Sequence, residues 1–296
     1  MDKRFNCHKA AILSDMHSNY YAFRACYEDA VAKGAELFIL LGDYISDLAD
    51  PVKTLDLVYT IQENYPTVCL KGNRERYMLD CKKGLSSFSA GSKTGSLLYT
   101  YTQLRPKDFA FFESLPFCDM IEVNGIPFEI AHGFKDDDRF YFDGKDENTE
   151  AVLAQMNYGY FLGGHSHRQF VCRRGEKVIL NPGSVGVPRD YGHLSQYALL
   201  DFSGQDVRIQ LRQMHYDVPA TIQRQFQSGL ADVAPHWAVS VLYDVITGKE
   251  CTMELLKRLE QCDIYDDLAW HSAAAGMGME FTQEEIIDFY KRNGSF

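Results

Sequence analysis

Three apolar runs near the start of the chain, "KAAILSD", "AELFILLGD" and "PTVCLKGN", each stop in residues able to bind a metal or a phosphate. The second is apolar without a break from Leu37 to Leu41. That suits a strand covered on both faces, and hence a parallel sheet lying between other layers. Between the first two runs Ala22, Cys26 and Ala30 recur at four-residue spacing, with Asn19 placed as an N-cap and Gly34 as a stop. Asp50-Pro51 opens a second helix as N-cap and first helical residue. This alternation predicts βαβ units over residues 8 to 70. Ligands of such sheets gather at the carboxyl ends of the parallel strands, so Asp15 with His17, Gly42-Asp43 and Gly72-Asn73 are expected to converge.

The rest of the chain changes style twice. Residues 84 to 116 read as helical, and Tyr99, Tyr101, Phe109, Phe111 and Phe112 fit a packed helical layer better than a substrate lid. Then come the short runs "FCDMIEV", "IPFEIAHG", "YGYFLGGHSH", "QFVCRR", "KVILNPGS", "QYALLDF" and "VRIQLRQ", which predict a second sheet, mixed or antiparallel. From about 218 onward "ATIQRQFQSGL", "CTMELLKRLEQC" and "QEEIIDFYKRN" are three amphipathic helix candidates. Their expected job is plain cover rather than lid or dimer interface.

Composition narrows the classes. With 296 residues the chain is long enough to bury roughly three quarters of its unfolded surface, so any metal it holds is there for function rather than for folding. No apolar stretch approaches the ~20 residues of a membrane span. The start, "MDKRFNCHKAAILSD", has too short an apolar run for a signal peptide. Eight cysteines lie scattered without a CxxC pair, which reads as reduced thiols and a cytoplasmic protein. A net charge of −11 repels nucleic acid on average and argues against a long polymer as substrate.

The polar strand ends, taken in order, are Asp15-x-His17, Gly42-Asp43, Gly72-Asn73, His132-Gly133 and Gly164-His165-x-His167. Two aspartates, an asparagine and four histidines form a mixed nitrogen and oxygen set suited to Mn, Fe, Zn, Co or Ni. Seven ligands exceed what one ion with an open position needs, and suffice for two. Asn73 brings a neutral oxygen that does not repel phosphate, and Gly163 and Gly164 let the backbone bend ahead of the histidine pair.

The blocks "DMH", "GD", "GNRE", "AHG" and "GHSH" resemble, in the same order, the motifs of the calcineurin-like metallophosphoesterases, over residues 9 to 216. With "DMHSN" and "NPGSVGVPRD", the chain looks most like the small bacterial branch. The resemblance implies a four-layer αββα sandwich of two packed mixed sheets. A metallophosphoesterase domain would fill 1–217, and a C-terminal helical extension packed on it 218–296. It also implies two divalent ions, Mn or Fe favoured. Asp15, His17, Asp43 and His167 would hold one; Asn73, His132 and His165 would complete the other, with Asp43 bridging. Two such ions share a hydroxide of lowered pKa and stabilise in-line displacement at phosphorus. The resulting assignment makes Asp43, Arg74 and His132 catalytic, and Asn19, Asn73, Arg74 and Arg189 substrate-binding.

Where the family's third block has a histidine that protonates the leaving oxygen, this chain has Arg74. Arginine stays charged and cannot be that acid, although it can grip a phosphate bidentately. Leaving groups that need little protonation are therefore favoured. The expectation is a phosphoesterase of small phosphodiesters or phosphoanhydrides, nucleotide-type and including dinucleoside polyphosphates, with a homo-oligomer allowed. A protein serine/threonine phosphatase, a nuclease and a non-catalytic metal-binding interaction scaffold are the competing readings. Glu75 either pairs with Arg74 or caps a helix.

Overall fold

The computed structural model of the chain describes residues 3–204, 206–260 and 267–293. In chain order its elements begin β1 (Lys3–Phe5), β2 (Lys9–Leu13), α1 (Tyr20–Ala32), β3 (Leu37–Leu40), α2 (Pro51–Asn64), β4 (Thr67–Cys69), α3 (Asn73–Lys82), α4 (Gly95–Gln103) and α5 (Pro106–Ser114). They continue with β5 (Cys118–Val123), β6 (Ile126–Ala131), α6 (Glu147–Gln155), β7 (Tyr160–Gly163), β8 (Gln169–Arg174), β9 (Lys177–Pro182), β10 (Leu194–Asp201) and β11 (Arg208–His215). The last six are α7 (Val218–Gln227), α8 (Leu230–Val233), α9 (Pro235–Thr247), α10 (Cys251–Leu259), α11 (Asp267–Ala275) and α12 (Gln283–Asn293).

Two mixed sheets result, one ordered β11-β10-β2-β3-β4 and the other β1-β5-β6-β7-β9-β8. Strands β2, β3 and β4 run parallel, as their apolar runs predict. Alternate residues of each divide between two cores. Ala10, Ile12, Leu37 and Ile39 meet Ile121, Phe128, Ile130 and Leu162 of the facing sheet. Ala11, Leu13, Phe38 and Leu40 pack under Phe23, Leu55, Val58 and Phe112 of the helices. On the far side of the second sheet, Phe161 and Ile179 pack on Val152 and Leu153 of α6. The layers are thus helix, sheet, sheet, helix, the four-layer arrangement expected.

Several expectations need correction. Strands β10 and β11 join the first sheet, not the second: β10 pairs antiparallel with β2, with Ala198 opposite Ile12 and Leu200 opposite Ala10. Both faces of β10 are buried from Ser195 to Leu200, so it takes an inner position beside β2. Residues 84 to 94 are not helical. Gly84 and Gly91 have φ of 73° and 68°, and Ser89, Ser92 and Thr94 bond one another through their side chains, which competes with helix. The helix α6 lies among strands where none was expected.

At the C-terminus α7, α10 and α12 match the three amphipathic segments, although Gln261 and Cys262 lie outside the described residues. Helices α8, α9 and α11 were not anticipated. The helix α9 is buried along nearly its whole length, and with α7 and α10 to α12 it packs against Leu48, Ala49, Tyr99 and Val187. Among the described residues no helix is long and apolar enough to cross a membrane.

Candidate metal centre

Each strand-end block leaves its strand in a tight loop. Asp15, His17, Asp43, His165 and His167 all have φ between 48° and 63°, in the left-handed region that Asp and His tolerate better than bulky residues. The loops are tied to one another by backbone bonds: the Asp15 amide donates to Gly42 O and the His17 amide to Asp43 O, both at 3.0 Å. The "NPGSVGV" turn closes beneath, with the Gly186 amide donating to Asp15 O at 2.9 Å.

Both aspartates have one oxygen fixed by a backbone amide and the other turned inward. Asp15 Oδ2 accepts from the His165 amide at 3.1 Å, and its Oδ1 is buried without a hydrogen-bond partner. Asp43 Oδ1 accepts from the Arg74 amide at 2.8 Å, in the first turn of α3, where the helix dipole favours an anion. Its Oδ2 lies 3.5 Å from His132 Nε2 and 3.8 Å from His17 Nε2.

The histidines are aimed in the same way. His132 Nδ1 lies 2.8 Å from Leu41 O, and His167 Nδ1 lies 2.8 Å from Val187 O. A carbonyl can only accept, so in each neutral ring the proton sits on Nδ1 and Nε2 carries a lone pair. His167 Nε2 is 3.4 Å from Asp15 Oδ1 and 3.0 Å from His17 Nε2. Asp15, His17 and His167 thus form one group with metal-ligand spacing, and Asp15, Asp43 and His132 a second, the ligand atoms of each within 4.8 Å of one another. Asn73 Oδ1 stands 3.3 Å from His132 Nε2. The His165 ring lies 5.4 Å from that of His132, beside the second group. Asp15 is common to both groups, and Asp43 Oδ2, near His17 of the first group and His132 of the second, faces the same space.

A family model for the calcineurin-like phosphoesterase superfamily domain matches residues 9–205, about two thirds of the chain. The chain belongs to the calcineurin-like phosphoesterase superfamily. It is a hydrolase acting on phosphoesters, in a superfamily that uses divalent metal ions. The uncharacterized protein MJ0912 of Methanocaldococcus jannaschii is 25% identical over 247 residues, which span 77% of this chain and 94% of that protein. A metallophosphoesterase from Sphaerobacter thermophilus shares the fold, with a TM-score of 0.67 and 20% identity over 82% of this chain and 100% of that one. The hypothetical protein PH1004 of Pyrococcus horikoshii OT3 does too, with a TM-score of 0.68 and 14% identity over 81% of this chain and 98% of that one.

The electrostatics of this phosphoesterase site suit a cation. Burial works to raise the Asp43 carboxyl, but His132, His17 and Arg74 outweigh it and hold the group far below the usual range. Burial disfavours charge on His132, yet Asp43 and Asp15 raise its pKa to about 10. Burial and the neighbouring His132 push His165 down to about 4. The carboxylates therefore draw positive charge into the pocket, and a divalent ion held by these residues would supply it.

The substrate residues proposed from sequence fall in two places. Arg74 sits at the mouth, half-buried, with its Nε 3.9 Å from Asp43 Oδ2. Asn19 and Arg189 are turned elsewhere. Asn19 is 1% exposed; its amide donates to Gly186 O and Tyr216 OH, and its Oδ1 accepts from Ala22 N and Thr221 Oγ1. Arg189 reaches to Lys249 O, Asp244 and Glu250. Glu75 does not pair with Arg74. It accepts from the amides of Asp43, Tyr44 and Gly72 at 2.8 to 2.9 Å, capping α3 and fixing the Asp43 loop together. The nearest carboxylate to the Arg74 guanidinium is Asp47, at 2.9 Å, a residue that no motif singled out.

Proposed function

We propose that this phosphoesterase hydrolyses small phosphodiesters or phosphoanhydrides of nucleotide type, dinucleoside polyphosphates among them, with two divalent ions, Mn or Fe favoured. The observation that carries the reading is the convergence of acceptor atoms from both sheets: Asp15 Oδ1, Asp43 Oδ2 and the Nε2 atoms of His17, His132 and His167. Asn73 and His165 complete the proposed set at its edge. Bound there, two ions would lower the pKa of water and neutralise phosphate charge. The chain's own part is to hold Asp15 and Asp43 by one oxygen each, to keep the imidazoles in one tautomer, and to present Arg74 to a phosphate oxygen. Arg74 stands at 2.9 Å from Asp47, and burial there is outweighed by Asp47 and Asp43, so its charge is secure. A permanent cation binds phosphate but protonates nothing, which supports a preference for leaving groups of low basicity.

In the same reading residues 1–217 are the hydrolase domain and 218–296 an extension packed on it. The cytoplasm is its proposed compartment, supported by the free cysteines 7, 26, 69, 81, 118, 172 and 251. The deciding experiment is hydrolysis of a chromogenic aryl phosphodiester by metal-stripped protein, with and without Mn²⁺, beside Asp43→Asn. Turnover only with metal, and lost in the variant, is expected. Metal-independent turnover, or full activity in the variant, would overturn the reading.

A further inference from the structure

Asp47 lies four residues past Asp43 in left-handed backbone with φ 68°, and it is 4% exposed. Its Oδ2 stands 2.9 Å from an Arg74 guanidinium nitrogen and 3.0 Å from His17 Nδ1, the latter out of line for a hydrogen bond. Its Oδ1 accepts from Trp237 Nε1 at 3.0 Å and faces Ser96 Oγ at 3.5 Å. Its backbone oxygen accepts from Gln225 Nε2 at 3.1 Å. Trp237 belongs to α9 and Gln225 to α7. One buried carboxylate therefore joins a candidate ligand, the arginine at the mouth, and helices that supply no ligand.

We propose that Asp47 and Trp237 are positioning residues for the phosphoester reaction: Trp237 aims the Asp47 carboxylate, and Asp47 sets the Arg74 guanidinium and turns His17 so that Nε2 faces the cluster. This rests on the two-metal reading above. A carboxylate on the far nitrogen of a metal-binding imidazole fixes its orientation and raises its basicity. His17 Nδ1 has no hydrogen-bond partner of its own, and Asp47 is the carboxylate beside it. Arg74 is held on the same oxygen, so the distance between a ligand and the phosphate-gripping group is set by one side chain. The C-terminal helices on this view tune the site as well as cover it.

A double-mutant cycle tests the proposal. Trp237→Phe keeps an aromatic side chain but removes the donor; Asp47→Asn keeps an acceptor for Trp237 but removes the charge. The kinetics use the aryl phosphodiester with Mn²⁺, and Mn²⁺ affinity is measured by calorimetry. Asp47→Asn is expected to lower kcat and weaken Mn²⁺ binding by ~10-fold or more. Trp237→Phe should lower kcat by up to ~10-fold with KM little changed, and lower the melting temperature by a few degrees because Asp47 Oδ1 loses its indole donor. Because Trp237 acts through Asp47, the double variant should lose no more than Asp47→Asn alone. Losses that multiply, or a Trp237→Phe enzyme with wild-type kcat and Mn²⁺ affinity, would overturn the proposal. If Asp47→Asn does not fold, Trp237→Phe decides by its kcat alone. Wild-type protein that takes up no Mn²⁺ overturns the two-metal reading and this proposal with it; wild-type function beside unchanged variants overturns this proposal only.

Discussion

The Nε2 atoms of His17 and His167 face each other at 3.0 Å, one on the loop leaving β2 and the other on the loop leaving β7. They come from different sheets, so the cluster sits on the seam between the layers. Two ring nitrogens that close, with Asp15 Oδ1 3.4 Å from one and 3.9 Å from the other, need a proton or a metal among them.

Metal should therefore stabilise the fold. At a hundredfold excess over its Kd, Mn²⁺ is expected to add about 2.7 kcal/mol and raise the melting temperature by ~5 °C. In Asp43→Asn the rise should shrink by at least about half. Differential scanning fluorimetry against Mn²⁺ concentration measures it, and an equal rise in the variant would place the ion elsewhere.

Gly72 has an ordinary φ of −94°, so dihedral strain does not demand glycine there. Space does: a Cβ would stand 2.6 Å from the Asp43 amide nitrogen and overlap the Asp43 carboxylate. Gly72→Ala should displace that carboxylate, reducing turnover by ~100-fold and stability by about 1–3 kcal/mol. A variant with wild-type kcat would show that the loop yields freely.

Arg74→His would put a titratable acid where a permanent cation stands. Alkyl leaving groups should gain on aryl ones by ~10-fold or more, since protonation matters only where the leaving oxygen is basic. A series of phosphodiesters of graded leaving-group pKa gives the slope. Parallel changes across the series would remove the leaving-group argument.

Asp244 of α9 accepts from the Thr252 amide at 2.9 Å and lies 3.6 Å from Arg189. Burial outweighs Arg189 and raises its pKa from 3.8 to about 6. The folded form therefore keeps a proton that the unfolded chain has released. The stabilisation from this is present below about pH 4 and lost as pH rises through 6. Relative to Asp244→Asn, the wild type should lose on the order of 2–3 kcal/mol between those limits. Urea unfolding of both proteins at several pH values measures it, and a constant difference would refute it.

Local pattern made some features legible and hid others. The inner strands β2 to β4 and their polar ends could be read because an apolar run that stops at Asp15 or Asp43 is a signal carried by adjacent residues. Sheet membership is not local: β10 has short-strand composition like β9, and only its pairing with β2 places it. Helix α9, "PHWAVSVLYDVIT", is apolar on nearly every side, so it lacks the 3.6-residue rhythm by which α7, α10 and α12 were found. Asp47 was invisible for a related reason. It sits in a loop among other polar residues, and the partner that gives it meaning, Trp237, is 190 positions away. Glu75 was half-read, since its helix cap follows from sequence but its bonds to the Asp43 and Tyr44 amides do not.

Left-handed backbone at Asp15, His17, Asp43, His165 and His167 costs roughly 1–2 kcal/mol at each residue. The scaffold carries that load and so is less forgiving than its size implies. A core substitution far from the cluster that erodes the reserve would first let these three loops relax, dismantling the site while the sheets still stand. Loss-of-activity variants of this enzyme would then scatter over the whole structure, and circular dichroism would report many of them as intact.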